Sequence, residues 1–236
     1  MSLPYVQPPA AVPAALVRGG AARFAVRRIY CVGRNYAAHA REMGATGREP
    51  PFFFMKPADA LVPQPSADAV VDVPYASLTT DLHYEVELVA AIGRGGRDIP
   101  LAQALEHVWG WGVGLDMTRR DLQHAMKGGG KPWDIAKGFD ASAPIGLLLP
   151  KEQAGDIAGA KIELALNGQV KQSSTIAEMI WSVAEVIAEL SRAWELAPGD
   201  LIYTGTPEGV GAVKVGDEIV ASVSGLDTLR ARIVAR

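Results

Sequence analysis

The chain has 236 residues, a formal net charge of −3 and a 49% apolar composition, enough to bury a sizeable core in one large domain or two small ones. No basic excess points to nucleic acid or an anionic membrane surface as partner, and no run approaches the roughly 20 apolar residues of a membrane helix, so a small-molecule function is the default. The single cysteine, Cys31, lies in an apolar run and has no internal partner for a disulfide, which reads as a buried thiol in a reducing compartment.

Residues 1–26 read as a Pro/Ala-rich arm, extended or weakly ordered, ahead of a single catalytic domain over residues 27–236. The first acidic residue is Glu42, as in an acid-poor transit segment, but Pro4, Pro8, Pro9 and Pro13 would break an amphipathic targeting helix. The expectation is an ordinary cytoplasmic protein. Residues 28–33 form a β-type run, and a helical turn or two follows over residues 35–42 with Asn35 available as its N-cap. His39 and Glu42 share a face of that helix, where a carboxylate can orient an imidazole; an exposed surface pair has the same spacing. Residues 52–56 read as an apolar strand that ends in Lys56 at a turn.

Residues 82–88 alternate apolar and polar, which predicts a half-buried strand with Leu82, Tyr84, Val86 and Leu88 on one face and His83, Glu85 and Glu87 on the other. Side-by-side carboxylates repel, and a hard divalent cation such as Mg²⁺ would offset that repulsion. Taken alone, a Glu-x-Glu pair more often marks a solvated outer face. The strand runs on to Ile92 and stops at the glycines of residues 93–96. A short helix over 101–107 and a Trp/Gly-rich strand over 108–115 follow, the latter ending at Asp116. Thr118 and Asp121 have the spacing of a capping box at the start of a helix on which Arg120 and Gln123 share a face. The glycines at 128–130 with Lys131 lack the first glycine and the hydroxyl residue of a phosphate loop, so they read as a mobile lid or tight connection. Lys137 stands alone in an apolar setting, where lysines are rarely buried unless paired or working.

Asn167-Gly168 predicts a hairpin between strands at 162–166 and from 170 onward. The clearest helix is predicted over residues 175–196, opened by a Thr175/Glu178 capping box and striped by Ile176, Met179, Ile180, Val183, Ile187, Leu190 and Trp194, with Pro198-Gly199 as its stop. A strand at 201–204 leads into a Gly/Thr loop over 205–211 able to offer backbone N–H groups to an anion. Residues 217–222 and 228–234 close the chain as a hairpin. Many short strands with few helices predict a β-rich α+β domain rather than a regular βαβ sheet.

Six separated motifs then come together: Tyr30 to Tyr36 with His39 and Glu42, Lys56-Pro57, His83 to Glu87, Leu115 to Thr118, Ala136 to Phe139, and Thr204 to Gly211. In this order they resemble the fumarylacetoacetate hydrolase family, most of all its bacterial members that cleave fumarylpyruvate and other acylpyruvates. The resemblance implies a mixed β-sandwich roll, a Mg²⁺ or Mn²⁺ ion without an organic cofactor, a homodimer, and a small oxo-acid substrate. It also implies hydrolysis of a carbon-carbon bond in an acylpyruvate such as fumarylpyruvate. Cleavage of acetylpyruvate, or decarboxylation or tautomerisation of oxaloacetate, are the alternatives. Carried over by motif, Glu85, Glu87 and Asp116 would hold the metal, His39 with Glu42 would activate water, and Lys137 would stabilise developing negative charge. Arg34, Lys56, Arg120, Gln123 and Thr206 would contact the substrate.

Overall fold

A strand buried on both faces belongs in the middle of a sheet, and Val86–Ile92, apolar except for Glu87, is such a strand, with all seven residues buried. It pairs antiparallel with Asp200–Tyr203 on one side and Val108–Leu115 on the other. The structure, a computed structural model, describes residues 5–37 and 48–236. Among them, an eight-stranded mixed sheet runs Phe52–Lys56, Arg28–Gly33, Asp200–Tyr203, Val86–Ile92, Val108–Leu115, Ala143–Ile145, Leu61–Pro63, with Leu149–Pro150 also paired to Val108–Leu115. Gly114 matters here because the Tyr203 ring crosses the sheet over it; a Cβ at that position would lie 2.5 Å from the ring.

A five-stranded sheet packs against one face, in the order Gln169–Thr175, Lys161–Leu166, Glu218–Val223, Leu229–Val234, Val71–Pro74. Leu88, Ala90 and Ile92 from the first sheet meet Ile162, Leu164, Ile219 and Ala221 from the second in the main core. Alternation sends Val89 and Ala91 to the opposite face, where they join Ile29, Cys31, Leu201 and Tyr203 in a second core. The predicted N-terminal arm contributes to that second core: Ala14–Leu16 pairs with Arg23–Ala25, and Ala15 is fully buried. A small sheet of Thr118–Arg119, Leu82–Tyr84 and Gly211–Ala212 closes one end. The α+β, β-rich sandwich expected of the sequence is the observed architecture.

Several local expectations change. The strand over 82–88 breaks at Glu85 into Leu82–Tyr84 and Val86–Ile92, and its charged face is buried: Glu85 is 4% and Glu87 1% exposed. The helix predicted over 175–196 spans only Val183–Ala193, preceded by a 3₁₀ turn at Ile176–Glu178. Tertiary hydrogen bonds decide this, because Ile176 N donates to Ala160 O and Ile180 N to Asn35 O, which removes the backbone a longer helix would need. The capping box is Ser182 with Glu185 rather than Thr175 with Glu178. Thr118 sits in a strand, the helix starts at Arg120 without a side-chain cap, and Asp121 instead accepts from Thr79 Oγ1 and Thr80 N. The short helix expected over residues 101–107 forms with those bounds, as a 3₁₀ helix. The Asn35 amide donates to Trp181 O and Thr204 O and accepts from Trp181 N; the helical turns predicted after it lie mostly outside the described residues. The hairpin turn at Asn167-Gly168 forms as predicted, both residues having positive φ.

Candidate active site

Strand register brings the acids together. Glu87 pairs with Gly114 and Val86 with Leu115, so the next residues, Glu85 and Asp116, stand opposite one another, with Asp116 N donating to Glu85 O at 2.9 Å. Glu85 and Glu87 project to the same side of their strand because side chains alternate. One carboxylate oxygen from each of Glu85, Glu87 and Asp116 lies within 4.8 Å of the other two, and all three residues are buried. Burial pushes the Glu87 carboxyl well above the usual range, and the charges of Asp116 and Glu85 push it further. One hydrogen bond works the other way, from Gly205 N to Glu87 Oε2 at 2.8 Å. The Gly/Thr loop thus spends a backbone N–H on this acid.

Three buried cations answer the three acids. Lys137, on the helical turn Asp134–Lys137, donates to Asp116 Oδ2 at 2.7 Å, Glu85 Oε2 at 2.9 Å and Thr118 Oγ1 at 2.6 Å. Burial lowers its pKa, but the carboxylates of Asp116 and Glu85 more than compensate, and the ammonium is held above its ordinary value. Arg120 binds Glu85 Oε1 and Gln123 Oε1 with its two terminal nitrogens, while its Nε reaches His83 Nδ1 at 3.3 Å. Lys56 Nζ lies 2.8 Å from Asp116 Oδ1 and donates to the carbonyls of Met117 and Lys137. The contact to Oδ1 is an ion pair without hydrogen-bond geometry, so this buried oxygen has no donor among the described residues. A compact set of hard oxygens with one undonated lone-pair site fits a divalent cation of the Mg²⁺ or Mn²⁺ kind.

A narrow cleft opens onto this cluster, lined by the three acids with Arg34, Phe54, Arg120, Gln123, Trp133, Lys137 and Thr206. Arg34 and Trp133 also border an outer aromatic cleft with Phe52 and Phe53. Arg34 adopts a left-handed backbone, φ +55°, a strain that proteins tolerate mainly at functional positions. Its guanidinium lies 5.6 Å from the Phe52 ring centroid, and its buried Nε has no hydrogen-bond partner among the described residues.

Of the residues singled out in the sequence, Glu85, Glu87, Asp116, Lys137, Arg34, Arg120, Gln123 and Thr206 share this cleft. Lys56 is not among the residues lining it; it is 1% exposed and pairs with Asp116. His39 and Glu42 lie outside the described residues. Sequence reasoning gave Thr118 only a capping role, whereas its hydroxyl joins Glu85 to Lys137, and it did not assign the aromatic wall of Phe54 and Trp133 to the site. A hydroxyl two residues past Asp116, and aromatics flanking Lys56 and Lys137, carry no pattern of their own in one sequence.

Residues 28–234 match the family model described as fumarylacetoacetate (FAA) hydrolase C-terminal. A fumarylpyruvate hydrolase from Pseudomonas aeruginosa, solved in complex with Mn²⁺ and pyruvate, is 55% identical with a TM-score of 0.96, covering 99% of this chain and 100% of its own. Among curated proteins, the mitochondrial oxaloacetate decarboxylase of Dictyostelium discoideum is 42% identical over 86% of this chain and 91% of its own length. The mitochondrial oxaloacetate tautomerase of Rattus norvegicus is 41% identical over 88% and 91%.

Proposed function

Because this chain belongs to the fumarylacetoacetate hydrolase family, we propose that it is a metal-dependent hydrolase that cleaves an acylpyruvate, fumarylpyruvate foremost, into pyruvate and the corresponding acid. The observation that carries this reading is the buried Glu85, Glu87 and Asp116 cluster with the Lys137 ammonium beside it in one cleft. The Pseudomonas protein, with Mn²⁺ and pyruvate bound, supports it. In this proposal the three carboxylates hold Mg²⁺ or Mn²⁺, whose chemistry is Lewis-acid polarisation of the oxo-acid carbonyl.

The chain's own residues supply the rest. Lys137, kept protonated by its carboxylate neighbours, sets its positive charge beside the oxyanion that develops at the attacked carbonyl, and donates to it once one of its three bonds to Asp116, Glu85 and Thr118 is released. Gln123 accepts from Arg120 through Oε1, which leaves its Nε2 as a donor toward the same oxygen. His39, oriented by Glu42, removes the proton from the attacking water. Arg34 and Thr206 take the carboxylates. Between Arg34 and Lys56, the distal carboxylate of a fumaryl group falls to Arg34, since Lys56 is already bound to Asp116 and two carbonyls while the buried Nε of Arg34 lacks a partner among the described residues.

The proposal includes a homodimer in the cytoplasm. Among the described residues no helix is long and apolar enough to cross a membrane.

A second reading is favoured by the curated relatives: tautomerisation or decarboxylation of oxaloacetate at the same site without hydrolytic water. The deciding experiment follows the ultraviolet absorbance of the enol forms of fumarylpyruvate, acetylpyruvate and oxaloacetate, with and without Mn²⁺ or Mg²⁺. Metal-dependent loss fastest for fumarylpyruvate supports the proposal. Turnover of oxaloacetate alone would replace it with the second reading.

A further inference from the structure

Gln172 is fully buried in a strand edge whose neighbours Val170, Lys171 and Ser173 are exposed. The ladder explains how it gets there: Leu164 pairs with Gln172 and Ala165 with Val170, so Lys171 is the extra residue of a bulge, and a bulge re-aims the side chain beside it. The amide of Gln172 crosses from the five-stranded sheet to two segments of the candidate site. Its Oε1 accepts from Val86 N at 3.0 Å, between Glu85 and Glu87. Its Nε2 donates to Pro207 O at 2.8 Å and to Thr206 Oγ1 at 2.8 Å. The orientation of this amide is forced, because a backbone N–H can only donate and a carbonyl oxygen can only accept. The loop is pressed onto the same strand at Gly209, where a Cβ would lie 2.1 Å from Lys171 O.

These bonds exclude one direction for a proton. Thr206 Oγ1 accepts from the Gln172 amide N–H, so its own O–H cannot be given to that group and is available to the cleft. Thr206 is 3% exposed and lines the cleft with Arg34 and the three acids.

We propose that Gln172 is a positioning residue that holds the Thr206 hydroxyl as a hydrogen-bond donor to a carboxylate of the oxo-acid substrate. This role rests on the proposed function, which places Thr206 against the substrate. By tying Thr206 to Val86, Gln172 also sets the distance between the carboxylate-binding hydroxyl and the strand that carries Glu85 and Glu87. A substrate whose carboxylate and keto oxygens have the wrong spacing then cannot meet both.

The test is calorimetric binding of pyruvate in the presence of Mn²⁺, run on the full chain with Gln172→Met, Thr206→Val, their double variant and Thr206→Ser. Gln172→Met and Thr206→Val are each expected to weaken pyruvate binding about 10-fold or more, the loss of one hydrogen bond to a charged group. The double variant binds no worse than Thr206→Val, since Gln172 acts through the hydroxyl. Thr206→Ser, which keeps the hydroxyl, loses far less than Thr206→Val. In turnover the variants raise KM for fumarylpyruvate more than they lower kcat. If Gln172→Met does not fold, Gln172→Glu reads the same quantity, because it keeps the acceptor for Val86 and loses the donor. A folded Gln172 variant that binds pyruvate as wild type does, or a loss that multiplies with that of Thr206→Val, would overturn the proposal. A wild-type protein without Mn²⁺-dependent pyruvate binding or acylpyruvate turnover would overturn the functional reading together with it.

Discussion

Asp116 donates its backbone N–H to Glu85 O at 2.9 Å, and the two carboxylates meet the same Lys137 ammonium at 2.7 and 2.9 Å. Directly opposed like charges destabilise a strand pair, and burial raises the cost. The site is therefore a place where the fold gives up stability unless cations are present, and Lys137 is the cation that bridges both strands.

Lys137→Met should be costly in two separable ways. Removing one partner of a buried ion pair typically costs about 3–5 kcal/mol, so the metal-free variant should melt well below wild type in calorimetry. With Mn²⁺ added, much of that difference should close while kcat stays down by about 10²-fold or more, as for a missing oxyanion donor. A variant with wild-type kcat would remove Lys137 from the chemistry.

Glu87→Gln should abolish Mn²⁺ binding in titration calorimetry and, with it, turnover, while circular dichroism stays unchanged. The side chain keeps its shape and an oxygen for Gly205 N. The substitution removes a buried acid whose charged form burial, Asp116 and Glu85 all disfavour, so the metal-free variant should be at least as thermostable as metal-free wild type. Full activity after exhaustive chelation would sink the ligand assignment.

Metal removal from wild type should lower Tm. A ligand at 100 times its Kd stabilises the native state by about 2.7 kcal/mol, and about 2–4 °C per kcal/mol applies to a chain of this size. Saturating Mn²⁺ should thus raise Tm by roughly 5–10 °C over a chelated sample in a thermal scan, and more at higher Mn²⁺ concentration. No shift in the scan would mean that the carboxylates bind no metal under those conditions.

Arg34→Ala should discriminate between substrates. It lowers kcat/KM for fumarylpyruvate by about 10²-fold, because the distal carboxylate no longer has a guanidinium to pair with in bidentate fashion. Acetylpyruvate, which has no distal carboxylate, stays within a few-fold of wild type. Equal losses on both would place Arg34 at the carboxylate the two substrates share.

Ser182→Ala tests the helix that the sequence placed too early. Ser182 Oγ accepts from Glu185 N and Glu185 Oε2 accepts from Ser182 N, a reciprocal cap worth about 1 kcal/mol. Tm should fall by about 2–4 °C with unchanged kcat. Thr175→Ala, at the cap read from the sequence, should not reproduce that fall.

What the sequence by itself determined was what travels with local pattern: the β-rich content, the hairpin at Asn167-Gly168, the strand running from Val86 to Ile92, and the motifs that mark the family. Residue types and spacings also placed Glu85 with Glu87 on one side of a strand and Arg120 with Gln123 on one face of a helix, because periods of 2 and 3.6 are local properties. Only the tertiary structure decided how those pieces meet. The register of Val86–Ile92 on Val108–Leu115 sets Asp116 opposite Glu85, and nothing within either segment encodes it. Lys56 read as the end of an apolar strand and Lys137 as a lone lysine in an apolar setting, yet pattern did not tell that Lys137 lines the cleft while Lys56 pairs with Asp116 from outside its lining. The helix over 175–196 lost its first turns to hydrogen bonds with Ala160 and Asn35, partners far away in the chain. Gln172 stayed invisible because its placement lies in a bulge and three long-range hydrogen bonds. Periodicity records which way a side chain points; which charge or backbone group it meets is a matter of pairing between segments, and pairing is set by the whole fold.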